Sequence, residues 1–355
     1  MHNYLYQALD LAQQRRGFCA PNPSVGAVVV KDGRVLGMGH HVAAGNPHAE
    51  VMALDTLTPE ETAGATLYVT LEPCCHWGKT PPCTDLIIEH KIAEVIYGFT
   101  DPNPVVSSKG QQKLIDAGIT CTHSPLPEID AFYASYSHWV KTGRPYVTAK
   151  LAISLDGGIA EEGGEPITLT GPAAQQFTHQ QRLGADAILT TARTIIRDNP
   201  YLNIRLSERP VTKPLYILDS TLSMPLSSHV CKTDAAITLF YAEKLVTTEK
   251  IENYQSNGIR CVAVSQTDGK LNLSEILEHI GKEDGVHDLW VEAGGMCFSA
   301  LIDAKLVQRA FLYVAPLWLG HQAQRAFERE DDVFAEASSR TWHILGEDAV
   351  CEIKW

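Results

Sequence analysis

The sequence predicts an α/β protein of two domains, on three observations. Its 355 residues exceed what one hydrophobic core ordinarily holds. Short apolar runs alternate with helix-period segments along most of the chain. The stretch Thr142-Gly143-Arg144-Pro145 is turn chemistry between two such blocks. The domains are therefore drawn as 1–143 and 144–355.

In the first domain, Tyr4, Leu5, Ala8, Leu9, Leu11 and Ala12 recur near helical spacing and predict a helix over 3–16. Ala27 to Val30 reads as a buried strand, closed by the hairpin turn Lys31-Asp32-Gly33. Val35 to Gly39 returns as its partner. A helix is expected over His48 to Leu57, a strand over Thr66 to Leu71, then a helix over Asp85 to His90. Both His48 and Cys74 are placed at helix N-termini. A strand over Ala93 to Tyr97 and a helix over Gln111 to Ala117 complete a three-layer α/β/α domain. Residues 128–141 read as one connecting helix. In the second domain strands are expected at Tyr146–Ala152, Ala187–Thr190, Leu215–Leu218, Ile237–Tyr241, Ile259–Val264, Asp288–Val291 and Ala310–Val314.

Hydrophobic residues make up 45% and charged residues 20%, enough apolar material for a core in each half. A net charge of −13 argues against a general positive field for nucleic acid. No apolar run approaches the roughly 18–20 residues of a membrane span, and no signal pattern opens the chain. Nine cysteines, an odd and scattered number, suit a reduced cytoplasmic protein.

The chemistry concentrates in His48-Ala49-Glu50, Pro73-Cys74 and Cys83. One His and two Cys are three zinc ligands, which leave a fourth position open. Glu50 is placed to shuttle protons rather than to bind metal. The set resembles the H-x-E and P-C…C signature of zinc-dependent nucleobase deaminases. Cys75 is the rival of Cys74, and His76 as a fourth ligand would make the site structural.

Further residues carry a wider resemblance. They are Pro21-Asn22-Pro23-Ser24-Val25-Gly26, Leu71-Glu72-Pro73-Cys74, Gly78-Lys79-Thr80-Pro81-Pro82-Cys83 and Asp101-Pro102-Asn103-Pro104. In the second half they are Lys150, Ser154-Leu155-Asp156-Gly157, Asp198-Asn199-Pro200 and Val291-Glu292-Ala293-Gly294-Gly295. Along nearly its whole length the chain resembles the bifunctional deaminase–reductase of bacterial riboflavin biosynthesis. The resemblance implies a cytidine-deaminase-like first domain and a dihydrofolate-reductase-like second domain. It implies zinc on His48, Cys74 and Cys83, with Glu50 as proton carrier. Asn22, His41 and Lys79 would contact a phosphorylated pyrimidine. In the second domain Lys150, Arg182, Leu202, Arg205 and Glu292 would hold substrate. Thr168, Thr194, Asp198, Ser220, Gly294 and Gly295 would hold NADPH. A homodimer or higher homo-oligomer is expected.

The second half departs from that pattern. Pro166 stands where a Ser is usual, Thr168 where a Trp is usual, and Gly158 where a Lys or Arg is usual; Arg193 replaces a small residue. The Pro166, Thr168 and Gly158 changes motivate one alternative, an active deaminase with a weakened or structural second domain; a non-catalytic zinc-binding scaffold is a separate alternative. Trp290, Trp318, Trp342 and Trp355 read as core or interface aromatics.

Overall fold

All of β1 (Gly26–Lys31) but its last residue is buried, and its side chains alternate between two cores. Ala27 and Val29 pack with Ala53, Leu54, Ile87 and Leu114 on one face. Val28 and Val30 pack with Leu5, Ala8, Ile129 and Phe132 on the other. A strand apolar at every position needs helices on both faces, and each fully buried Leu or Val contributes ~1.5–3 kcal/mol. The structure is a computed structural model and describes residues 2–77, 81–103, 108–162, 167–327 and 332–355. It divides into two units, Met1–Arg144 and Pro145–Trp355.

The first unit runs α1 (His2–Gln13), β1, β2 (Arg34–His40), α2 (Ala49–Leu54), α3 (Pro59–Thr62), β3 (Thr66–Leu71) and α4 (Cys83–Glu89). It continues with β4 (Glu94–Phe99), α5 (Lys109–Asp116), β5 (Thr120–His123), α6 (Pro127–Phe132) and α7 (Ala134–Thr142). The sheet order is β2-β1-β3-β4-β5. Asp32 and Gly33 both take positive φ, which is the turn the Asp-Gly pair predicts. An added Cβ at Gly39 would lie 2.4 Å from the Ala49 carbonyl oxygen, so α2 rests directly on β2.

Some expectations need correction here. The connecting helix over 128–141 is two helices that meet at Tyr133, a buried residue whose hydroxyl is drawn to Thr70 and Ser24. Cys74 starts no helix; it lies in the loop after β3, and Cys83 is the first residue of α4. The short polar edge strand β5 lacked the apolar run that announces a strand.

The second unit runs β6 (Tyr146–Ser154), β7 (Gly158–Ala160), α8 (Pro172–Gly184), β8 (Ala187–Thr191), α9 (Ala192–Asp198), β9 (Leu215–Leu218) and β10 (Ile237–Ala242). There follow α10 (Thr248–Ser256), β11 (Arg260–Val264), β12 (Gln266–Thr267), β13 (Lys270–Leu271), α11 (Leu273–Lys282), β14 (Asp288–Glu292) and α12 (Gly295–Asp303). Last come β15 (Arg309–Ala315), β16 (Gln324–Arg325), β17 (Ser339–Leu345) and β18 (Asp348–Lys354). The main sheet has nine strands in the order β11-β10-β9-β8-β14-β6-β15-β18-β17. The pairs from β11 to β15 are parallel, and β18 and β17 close the edge antiparallel. Those last two strands were not expected; β17 is largely exposed on both faces and shows no apolar alternation. The register sets Lys150 of β6 against Glu292 of β14.

Candidate active sites

In the first unit the sheet and α2 bring His48 to the loop after β3. His48 is the N-cap residue of α2, so the helix starts at Ala49, one position after the expected start. Its Nδ1 lies 3.2 Å from Cys83 Sγ and 3.5 Å from Cys74 Sγ. The three ligating atoms all lie within 4.8 Å of one another. Cys74 sits over the start of α4: the Cys83 main-chain N–H donates to its sulfur at 3.3 Å. Hydrogen bonds from Cys83 and then His48 hold the Cys74 thiol down, to about 4, and the same bond pushes Cys83 up. One nitrogen and two sulfurs at this spacing fit a soft divalent cation, and such a cation favours both sulfurs as thiolates. The donor set thus fits zinc.

Glu50 is only 4% exposed. Burial, then the Cys74 charge, raises its carboxyl above the ordinary range. His41, 2% exposed, spends both ring nitrogens inside the unit. Its Nδ1 lies 3.0 Å from the Pro47 carbonyl oxygen and its Nε2 3.1 Å from Asn22 Nδ2. A carbonyl only accepts, so Nδ1 carries the proton and Nε2 accepts from the Asn22 amide. Lys79 lies outside the described residues.

Sequence reasoning missed what holds these loops. The Asn22 loop is tied by Ser24 Oγ to the Ala12 carbonyl at 2.7 Å, and by the Tyr133 hydroxyl to the Ser24 carbonyl at 2.9 Å. Glu72, 3% exposed, accepts the main-chain N–H groups of Ser108 and Gln111 around the start of α5. A buried Glu just before the Pro-Cys pair was the available signal.

In the second unit Lys150, Arg182, Arg205 and Glu292 gather near the carboxyl end of β14. Arg182 of α8 forks onto Glu292, Nε to Oε1 at 2.5 Å and Nη2 to Oε2 at 2.9 Å. Its Nη1 donates to the Asn203 carbonyl at 2.8 Å, and Arg205 Nη1 reaches Asn203 Oδ1 at 2.7 Å. Lys150 Nζ lies 5.2 Å from the Tyr313 ring centroid. Burial lowers the Lys150 pKa, against the charge of Glu292. Glu292 is partly buried, which raises its pKa, yet Arg182 brings its carboxyl down to about 2. Leu202 has its side chain in the core and a φ of 49°, which leaves only its main chain to offer a ligand. Thr194 bonds Thr191 at the start of α9, Asp198 ends that helix, and Ser220 follows β9.

Gly294 caps α12 directly after β14. Among the described residues an added Cβ there meets no atom within 4 Å, whereas one on Gly295 would lie 1.9 Å from the Ala326 carbonyl oxygen. The open space at a helix N-terminus beyond a parallel strand is a cradle that fits a dinucleotide phosphate. Thr168 is exposed and makes no contact with this cluster among the described residues; Pro166 lies outside them. At Gly158 an added Cβ would sit 3.0 Å from both Ala323 Cβ and Leu319 Cδ1. Glycine there is set by close packing of the 319–323 segment.

The first unit offers a three-donor metal set with a buried acid beside it. The second offers a cluster of charged side chains and an open glycine turn at a helix N-terminus on a parallel sheet. Such a pairing defines a zinc deaminase joined to a nicotinamide-dependent reductase. Residues 1–99 match the cytidine and deoxycytidylate deaminase zinc-binding region, and residues 145–349 match the RibD C-terminal domain. The riboflavin biosynthesis protein RibD of Aquifex aeolicus is 38% identical over 323 residues, covering 90% of this chain and 87% of the relative. That of Escherichia coli is 35% identical over 333 residues, covering 90% and 89%. The solved structure of Acinetobacter baumannii RibD superposes with a TM-score of 0.87 at 30% identity, over 99% of this chain and 98% of that one. A Thermotoga maritima diaminohydroxyphosphoribosylaminopyrimidine deaminase/5-amino-6-(5-phosphoribosylamino)uracil reductase gives 0.84 at 31% identity, over 99% and 97%. The chain belongs to the RibD family, the bifunctional zinc-binding deaminases and NADPH-dependent reductases of riboflavin biosynthesis.

Proposed function

We propose that the first unit deaminates a diaminohydroxyphosphoribosylaminopyrimidine by hydrolysis, and that the second reduces the ribosyl group of the product to ribityl. The substrates are those in the name of the Thermotoga maritima relative. The observation that carries the reading is the His48, Cys74 and Cys83 cluster with a buried Glu50 two residues along α2.

His48, Cys74 and Cys83 would hold zinc, which supplies a Lewis acid that activates water. Glu50 takes the first proton of the water and gives it to a ring nitrogen, then carries the second, from the new hydroxyl, to the amine, which departs as ammonia while the carbonyl forms. A carboxyl raised toward neutrality holds a proton between such steps better than an ordinary one. Asn22 reads the pyrimidine edge with its amide oxygen and remaining N–H, and His41 acts through Asn22 by fixing which way the amide faces. Lys79 is assigned to the substrate as well.

In the second unit NADPH supplies the hydride. Thr168, Thr194, Asp198, Ser220, Gly294 and Gly295 would hold the cofactor. Lys150, Arg182, the Leu202 main chain, Arg205 and Glu292 would hold the pyrimidine and its phosphate. Arg205 is exposed and carries the planar fork that suits phosphate.

A homodimer fits the exposed edge strand β17, where Trp342 is 59% and Ile344 74% exposed. A cytoplasmic location fits nine free cysteines. Among the described residues, no helix is long and apolar enough to cross a membrane.

The test is to follow ammonia release and NADPH oxidation in parallel, with zinc-loaded protein and the phosphoribosylamino pyrimidine. Both signals together support the two reactions. Ammonia alone demotes the second unit to a structural module, and silence in both channels defeats the assignment.

A further inference from the structure

Strand β14 sends alternate side chains to opposite faces. Leu289 and Val291 enter one core, and Trp290 enters the other. Glu292, two residues on, shares the Trp290 face. Trp290 is 1% exposed, with its ring 5.9 Å from Phe311. An indole nitrogen is a donor only, and a buried donor requires an acceptor. Trp290 Nε1 finds Glu292 Oε1 at 2.6 Å.

The same oxygen already takes Arg182 Nε at 2.5 Å, and Oε2 takes Arg182 Nη2 at 2.9 Å. The Thr190 hydroxyl fixes the strand beneath by donating to the Glu292 carbonyl at 2.6 Å. Each carboxylate oxygen accepts two in-plane hydrogen bonds. Among the described residues, Oε1 therefore has both directions filled and Oε2 has one left.

We propose that Trp290 is a positioning residue for the reductase reaction: its indole N–H saturates Glu292 Oε1, leaving Oε2 as the single acceptor for an N–H of the pyrimidine substrate. The proposal rests on the reading that Glu292 binds that substrate. Without the indole N–H, Oε1 regains a lone pair and the carboxylate is held by Arg182 alone. A second acceptor then competes for the ligand donor. An aromatic that merely fills the core would act through its volume, and the indole N–H would be irrelevant.

The test is Trp290→Phe, which keeps an aromatic ring and removes the donor. The expected result is a KM for 5-amino-6-(5-phosphoribosylamino)uracil raised about 10-fold, with kcat within about twofold. NADPH affinity and ammonia release should stay unchanged. Glu292→Gln is measured beside it. If Glu292→Gln leaves the substrate KM unchanged, the reading of Glu292 itself fails. If that variant is impaired and Trp290→Phe is not, only the Trp290 proposal fails. Loss of NADPH affinity together with substrate affinity in Trp290→Phe marks a scaffold role and also overturns it. A readout independent of the Trp290 variant is the indole N–H resonance of Trp290 in the unmutated protein. It should lie downfield of the other five of the six tryptophans and move in Glu292→Gln; a resonance at the ordinary position overturns the proposal.

Discussion

The two sites are built on opposite plans. In the deaminase unit, every proposed metal ligand and the proton carrier fall between His48 and Cys83, on one short helix, one loop and the start of another helix. In the reductase unit, Arg182 and Glu292 are 110 residues apart in sequence yet form one forked ion pair. The first plan concentrates function in a few donor atoms that a cation can gather. The second distributes it over a buried charge network, so binding and stability share the same side chains.

The largest expected effect separates these plans. Removal of zinc by a chelator, or Glu50→Gln, should lower ammonia release about 10³-fold. NADPH oxidation with the already deaminated substrate should continue, and Glu50→Gln should retain its zinc by metal analysis. Loss of both activities would break the comparison.

Arg182→Ala should do the reverse. It leaves the partly buried Glu292 beside Lys150 without its fork, at a cost of about 3–5 kcal/mol. Denaturant unfolding should show the second unit destabilised and reductase activity lost, with ammonia release retained. An unchanged unfolding midpoint would show that the network binds without stabilising.

A pair of glycines sharpens the contrast within one turn of chain. Gly294→Ala has open space and a φ of −67° that alanine accepts, so the thermal midpoint should hold. The NADPH dissociation constant should rise about 10-fold as the cradle narrows. Gly295→Ala meets the Ala326 main chain and should lower the thermal midpoint itself. Equal behaviour of the two would sink the cradle.

An effect on stability alone lies at the other end of the same sheet. Asp186 precedes β8 and is half-buried; desolvation, then Asp288, raises its carboxyl to about 6. The folded state therefore binds this proton more tightly than the unfolded chain does. Its contribution is fully favourable below about pH 4 and is lost as pH rises through 6, at most about 3 kcal/mol. Asp186→Asn should flatten the thermal midpoint across that window without moving kcat, because the amino ends of the strands lie away from Glu292. A changed kcat would contradict that separation.

The same difference in plan explains what the sequence made legible. His48, Glu50, Cys74 and Cys83 were visible because zinc restricts ligand type and spacing, and β1 because both its faces are apolar. The interlocked roles of Asn22 and His41 were not, since a hydrogen bond across 19 residues leaves no periodic mark. Trp290 read as a core aromatic, and it is one; only the period of two along β14 places its nitrogen on the face of Glu292. Strand β17 was missed because it is exposed along most of its length; β18 is mostly buried and was missed without such a reason.

Strand β6 is the first strand of its unit to leave the ribosome and one of the last to be satisfied. It lies between β14 and β15, and its Thr148 is bonded by Arg309, 161 residues later. Until those segments emerge, a strand carrying Val147, Ala149 and Leu151 has no native neighbour on either side. Such distant pairing slows folding and leaves a sticky edge exposed during synthesis. The deaminase unit, whose β1 pairs at once with β2 across a two-residue turn, carries no such delay. Nascent chains of this protein should therefore depend on chaperones for the reductase half long after the deaminase half is protease-resistant.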